Sequence, residues 1–303
     1  MFRWIKKRLA NEEGNVAVIV TMFMVAMLGA TALVTDVGSA YMAKNKLLNA
    51  LDAGALAGID NIFQGQAAAQ SAAISYVNKN GESVDQVVVN TVADTVDLYR
   101  TIQIPFEFAK VLGFNSVTYS AHVQASAGTL VSGTGFVPIG VQEQNFVYGQ
   151  TYTLSDGSGE GVDGNYGFLA LGGTGACEFE QNLMNGYSGE LQVGEQVETE
   201  PGVMEGPVST AISYRLNEGE SEDVSFSTAT EDSPRVMLMP VINSSGEHGR
   251  SEVTIVGFAA FYLDGLQGSG GHQEIIGRFM RMVVPGTVGQ GMNFGLYSVK
   301  LTH

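Results

Sequence analysis

Residues 16–34 read VAVIVTMFMVAMLGATALV, nineteen consecutive positions without a charge. As a helix rising 1.5 Å per residue, this run roughly matches the ~30 Å hydrocarbon core of a bilayer. Arg3, Lys6, Lys7 and Arg8 precede it, with Glu12 and Glu13 as the acids there. The nearest basic residues after it are Lys44 and Lys46. Lys/Arg asymmetry sets topology, so the expectation is a single-pass anchor in the cell membrane, N-terminus cytoplasmic and the remainder extracytoplasmic. A cleaved secretory signal would carry a shorter apolar core, about 7–15 residues, followed by a small-residue cleavage site. The length of the run favours an anchor that is retained.

The helical pattern continues past the apolar run. Val37, Tyr41, Leu48, Leu51, Ala55 and Ile59 follow steps of three and four residues, which puts them on one stripe. One helix from about Val16 to Ile59, on the order of 65 Å long, is predicted. Within it the Gly54-x-x-x-Gly58 spacing reads as small residues under a packed neighbour, because the same motif as a dimerisation device belongs to apolar spans. A second helix is predicted over 66–78, ended at Asn80-Gly81. Period-two patterns predict strands at 84–92, 98–104 and 117–127, with a short helix or turn at 106–112.

The fold class expected is α+β. It comprises a cytoplasmic stub (1–14), a transmembrane helix (15–41), a pilin-like helix-plus-strand region (42–128) and a glycine-rich, acidic β domain (129–303), sandwich-like or barrel-like and entered through a linker at 130–140. Turn signals at Asp156-Gly157, Asp163-Gly164, Gly172-Gly173, Asn185-Gly186 and 268–271 separate apolar stretches at 236–242, 253–263 and 275–284.

Charge narrows the partners. The chain carries a formal charge of −16, and beyond Tyr41 it has 11 basic against 28 acidic residues. From Val111 to Tyr214 there is no Lys or Arg. Such a surface repels phosphate, so no nucleic-acid partner is expected. The acidity suits a solvated domain outside the membrane. Cys177 is the sole cysteine, which rules out an intramolecular disulfide and a cysteine-based zinc site; a partly buried free thiol is expected.

The residues around the apolar run also carry a resemblance. Gly14-Asn15-Val16-Ala17-Val18 opens the run and Asp36-Val37-Gly38 closes it. Tyr41, Leu48-Asn49-Ala50, Asp52-Ala53 and Ala55-Leu56-Ala57 follow. In order and spacing this string, residues 14 to about 60, resembles the N-terminal domain of TadG-like proteins of Tad (tight adherence, Flp) pilus assembly. The resemblance implies a non-enzymatic envelope protein of pilus assembly or cell-surface adhesion. Its implied partners are the lipid bilayer and other pilus-assembly or pilin-like proteins, with no cofactor. The alternative is an independent, surface-displayed ligand-binding module on a Tad-like anchor; an anchored hydrolase ranks last. Two family features are missing. Prepilin-like members have a glutamate five residues after a glycine cleavage point, and counting from Gly14 that position is Ile19. The von Willebrand A metal motif Asp-x-Ser-x-Ser fails in Asp156-Gly157-Ser158-Gly159-Glu160.

The helix face Val37, Tyr41, Leu48 and Ala55, together with Asp36, is the expected partner interface. Two roles are open to Asp36: pairing with a basic group on a partner helix, or a solvated place at the membrane interface, where a carboxylate costs far less than at the bilayer centre. Catalytic and metal chemistry find little support. Residues 156–165 fail as an EF-hand because Gly167 stands where the twelfth-position Glu belongs, and 172–177 fail the calcium nonapeptide pattern. His122, His248, His272 and His303 form no metal-spaced pair. Neither a nucleophile elbow nor a phosphate loop occurs. Glu195, Glu198, Glu200 and Glu205 alternate with valines and read as a wet strand face.

Overall fold

The computed structural model describes residues 12–154, 166–200, 205–222, 224–243, 251–268 and 274–303. Helix α1, Glu12–Asp60, is unbroken over 49 residues, about 70 Å at 1.5 Å per residue. Its two halves solve different problems. Along the apolar run almost every side chain is exposed, from Val16 at 60% to Leu28 at 70% and Val34 at 72%. The helix is long and apolar enough to cross a membrane, and none of the described residues covers it there. Its polar side chains are satisfied within the helix. Thr21, Thr31 and Thr35 each donate to the carbonyl four residues back, at 2.7–2.9 Å, as hydroxyls in a lipid-facing helix must.

The second half of α1 lies under protein. Leu47, Ala50, Leu51, Ala55 and Ile59 are buried. They pack with Ala73 and Val77 of helix α2, Gln66–Lys79. Both helices rest on a sheet begun by β1 (Gln86–Asn90), β2 (Thr95–Pro105) and β3 (Ser116–Gly133), three consecutive antiparallel strands. Val96, Leu98, Ala121, Val123 and Ala125 alternate inward from it, the period-two pattern of a half-solvated sheet. A 3₁₀ turn at Ala109–Leu112 caps the β2–β3 hairpin.

The chain goes on through β4 (Ile139–Gln142), β5 (Thr151–Leu154) and β6 (Tyr166–Phe168) to helix α3 (Ala176–Asn185). Then come β7 (Leu191–Gln192), β8 (Gln196–Glu198) and helix α4 (Glu205–Ser221). Strands β9 (Val236–Ile242), β10 (Glu252–Gln267), β11 (Glu274–Met280), β12 (Met282–Val283), β13 (Thr287–Val288) and β14 (Leu296–Thr302) complete it. The first sheet has the order β1-β2-β3-β14-β12, with β7 and β13 also on β3. The second runs β5-β11-β10-β9-β4-β6, with β8 on β10.

The second sheet is buried on both faces. One face holds α3 and α4 through Phe179, Leu183, Val208, Ala211 and Ile212 against Met237, Met239 and Phe261. The other meets the first sheet through Phe136, Phe258 and Ala260 against Leu130 and Leu296. Double burial explains why Phe258 to Leu263 reads as a continuous apolar run rather than an alternation. Buried Arg215 of α4 ties this layer together. It donates Nε to the Leu183 carbonyl at 2.6 Å and Nη1 to the Pro234 and Val236 carbonyls at 2.8 and 3.0 Å. Burial lowers its pKa to about 10.

Several expectations need correction. The region after residue 128 is not all-β, because α3 and α4 cover one face of its sheet. Residues 130–140 are no linker: β3 runs through to Gly133, β4 begins at Ile139, and Phe136 is fully buried between them. A boundary at 128 falls inside β3, and β14 pairs with β3 from Tyr297↔Thr129 to Thr302↔Gln124, so the first sheet takes strands from both sides of it. Cys177 is exposed rather than partly buried. Glu200 is 9% exposed, and its Oε1 accepts from the Gly175 N–H at 3.2 Å, at the positive end of α3. The stub and the 156–165 loop, with His248 and His272, lie largely or wholly outside the described residues.

Two glycines in the second half of α1, Gly54 and Gly58, explain how closely its layers approach. A Cβ on Gly54 would strike Val77 Cγ2 and lie 2.9 Å from both the Ala73 carbonyl and Leu98 Cδ2. One on Gly58 would lie 2.9 Å from Val96 Cγ1. Gly54→Ala is therefore expected to destabilise the detergent-solubilised protein by about 1–3 kcal/mol through overpacking. Gly29→Ala, with open space around it, should leave the unfolding midpoint unmoved in the same denaturant titration.

Candidate functional site

As α1 leaves the apolar run, β2 runs back along it. Gly58 lies against Val96 and Gly54 against Leu98. The eighteen residues from Gly54 back to Asp36 cover about 27 Å of helix. The nine from Leu98 to Glu107 cover about 30 Å of strand. The lengths agree, so the hairpin tip arrives beside Asp36.

There Asp36 is 2% exposed. Its Oδ1 accepts from the Glu107 N–H at 2.8 Å and the Phe108 N–H at 3.2 Å. Its Oδ2 accepts from the Phe108 N–H at 3.1 Å and the Ala109 N–H at 2.6 Å. Three consecutive amides thus converge on one carboxylate at the start of the Ala109–Leu112 turn, an anion nest made by the chain itself. These are the orphan donors of a helical N-terminus, and a carboxylate there meets both hydrogen-bonding capacity and dipole. Neither role considered for Asp36 from sequence included this one, since its partners lie 71–73 residues away.

The other predicted interface residues separate. Val37 and Tyr41 are 57% and 64% exposed, Leu48 is half-buried against the helix–sheet core, and Ala55 is at 0%. In this structure the stripe therefore divides into an outward part next to the apolar run and an inward part under the sheet. Beside the outward part, sequence reasoning passed over the hairpin tip, where Phe108, Val111 and Phe114 are 50%, 88% and 64% exposed. The apolar letters at 106–114 were the available signal.

A second feature lies where α1 ends. A cleft of ≈ 980 Å³ runs between the close of α1 and the 226–232 segment, lined among others by Asp60, Phe63, Glu231, Asp232 and Arg281. The Arg281 guanidinium sits over the Phe63 ring at 4.9 Å. Burial raises the Asp60 pKa. Burial, with Asp232 and Asp60 nearby, pushes Glu231 up to about 7, and its Oε2 is buried without a hydrogen-bond partner. Among the described residues no group of three or more His, Cys, Asp or Glu is placed to hold a metal ion. His122 is engaged by Asp97 at 2.8 Å and stacks on Tyr99, and His303 lies 3.5 Å from Asp52.

Residues 14–61 match the family model described as putative Flp pilus-assembly TadE/G-like. The matched stretch coincides with α1 almost residue for residue, so the likeness takes in the apolar run, Asp36 and the sheet-packing face, and none of the strands. Searches of curated proteins and of solved structures return no significant match.

Two outcomes follow. Asp36→Ala removes the acceptor of three amides, so hydrogen exchange at Glu107, Phe108 and Ala109 should accelerate strongly, with Val123 and Ala125 in the sheet centre unchanged. Glu231, whose folded pKa lies above its ordinary 4.5, binds its proton more tightly when folded. Its contribution is complete below about pH 4.5 and is lost as pH rises through about 7. Glu231→Gln should therefore raise the thermal midpoint relative to the parent at neutral pH, and the difference should vanish in acid.

Proposed function

We propose that this protein is a membrane-anchored, non-enzymatic component of Tad/Flp pilus assembly or cell-surface adhesion. The observation that carries the reading is α1. One continuous helix, matching the TadE/G-like model along its length, leaves its first half bare for lipid and locks its second half under a folded α+β body. Such a helix transmits position. Whatever binds the body is held at a fixed height and orientation relative to the membrane, which is what an assembly subunit requires.

Val37 and Tyr41 are the residues through which a partner helix would meet α1 at the membrane surface. Asp36 serves that contact indirectly by holding the hairpin tip beside it. The Arg3–Arg8 cluster supports a cytoplasmic N-terminus and an extracytoplasmic body. The acidic body, with its long stretch free of Lys and Arg, suits that compartment.

The test is crosslinking in native membranes, followed by detergent extraction, capture through a C-terminal tag, and protease shaving of whole cells. Pilus subunits or assembly proteins should be recovered, and the tag should be lost to external protease. Val37→Ala combined with Tyr41→Ala should reduce partner recovery several-fold while the protein stays in the membrane fraction. Recovery of no pilus component by an intact, externally exposed protein would favour the independent ligand-binding module.

A further inference from the structure

The β2–β3 hairpin tip is an unusual surface for a turn. Between Pro105 and Ser116 it exposes three large apolar side chains, Phe108, Val111 and Phe114, the second at 88%. Turns facing water are polar as a rule. A tip held loosely could hide such residues by local collapse. This one is fixed by three amides on the Asp36 carboxylate, so the apolar side chains stay outward.

The tip's height is also fixed. Asp36 stands two residues beyond Val34, the last residue of the apolar run, or about 3 Å along the helix axis. On α1 itself exposed apolar side chains stand on both sides of Asp36 in sequence, with Leu33 at 63%, Val34 at 72% and Val37 at 57%. Lys110 on the tip is exposed, between the exposed Phe108 and Phe114. Aromatic rings with lysines at one level are the composition of a bilayer interface, where the ring sits at the headgroups and the ammonium reaches water.

We infer that the hairpin tip is a second membrane contact, with Phe108, Val111 and Phe114 inserted at the headgroup–acyl boundary of the same bilayer that α1 crosses. The occupant of this apolar surface is lipid, because Asp36 holds the tip at the end of the membrane-spanning run. The inference rests on the reading of α1 as a membrane anchor. Two contacts, one spanning and one interfacial, stop the body from rotating about the α1 axis or tilting freely, which a lone helix would allow.

The experiment uses the full chain in lipid nanodiscs, with the sole tryptophan removed by Trp4→Phe. Three separate variants are made in that background: Phe23→Trp in the apolar run, Phe114→Trp on the tip, and Val92→Trp in the β1–β2 turn. Val92 is 94% exposed at the opposite end of β2. Emission is compared in phosphatidylcholine and in the same lipid brominated on its acyl chains. The expected result is blue-shifted emission from Phe114→Trp, quenched by the brominated lipid several-fold more than Val92→Trp. If Phe114→Trp behaves like Val92→Trp while Phe23→Trp is quenched, the tip is not in the bilayer and the inference falls while the anchor stands. Blue-shifted but unquenched emission from Phe114→Trp would mean that a second copy covers the tip, which also overturns it. An unquenched Phe23→Trp would remove the anchor reading itself.

Discussion

A carboxylate buried at the lip of an apolar helix is an expensive thing to build, and Asp36 sets the geometry of this molecule. Placed within the hydrocarbon it would be costly, and a few residues further along it would be solvated and dispensable. At residue 36 it has neither lipid nor free water, and three backbone amides supply the hydrogen bonds that water would have given. Those amides come from a hairpin tip far away in sequence, so the bond is a long-range clasp. It joins the far end of the first sheet to the level at which the helix emerges.

With the clasp at one end, Gly54 and Gly58 act at the other. They let Val77, Leu98 and Val96 approach the helix backbone, so β2 and α1 run side by side over most of the length of the strand. Helix and sheet are held at two points well apart, which defines a direction as well as a position. The second sheet inherits that direction. Strand β3 reaches from the hairpin tip through to Gly133, and its far half contributes Leu130 to the core shared by the two sheets. Orientation set near the membrane thus passes along one continuous strand into the rest of the body.

The elements governed by local periodicity were legible in the sequence. Helix α1 was expected from Val16 to Ile59 and runs Glu12–Asp60; α2, β2, β9 and β11 were placed within a few residues. What failed depended on partners distant in sequence. Residues 130–140 look like a linker because Gly133 and Gly135 interrupt them, yet β13 and β9 come from over a hundred residues away to flank them. Helix α4 carries its signal in Val208, Ala211, Ile212 and Leu216, spaced three and four apart. Arg215 in the same face disguised it, since nothing local shows that three carbonyls wait for a buried guanidinium. The site divides in the same way. Val37, Tyr41, Leu48 and Ala55 were read together as one interface face, of which Val37 and Tyr41 are exposed. Ala55, on the same periodic stripe, faces inward because α2 and β2 close over it. A stripe gives a direction around the helix, and only the rest of the fold decides what lies there.

The join between the sheets shows a balance of another kind. Leu130, Phe136, Phe258, Met282, Val284 and Leu296 bury a shared apolar layer, while Asp60, Glu231 and Asp232 gather acids at the rim of the cleft beside it. Repulsion among exposed acids is screened within about a Debye length. Glu231 is partly buried with an unpartnered oxygen, so its protonation rather than screening relieves the strain. The apolar layer is indifferent to pH, so the joint holds across the range and loosens only at its rim as the carboxyls ionise. The Asp36 clasp works in the opposite sense, because its amides favour the charged carboxylate and their grip weakens only when acid neutralises it. Acid therefore relieves the rim of the joint and releases the membrane-side clasp, whereas rising pH keeps the clasp charged and firm and puts the rim under its greatest repulsion.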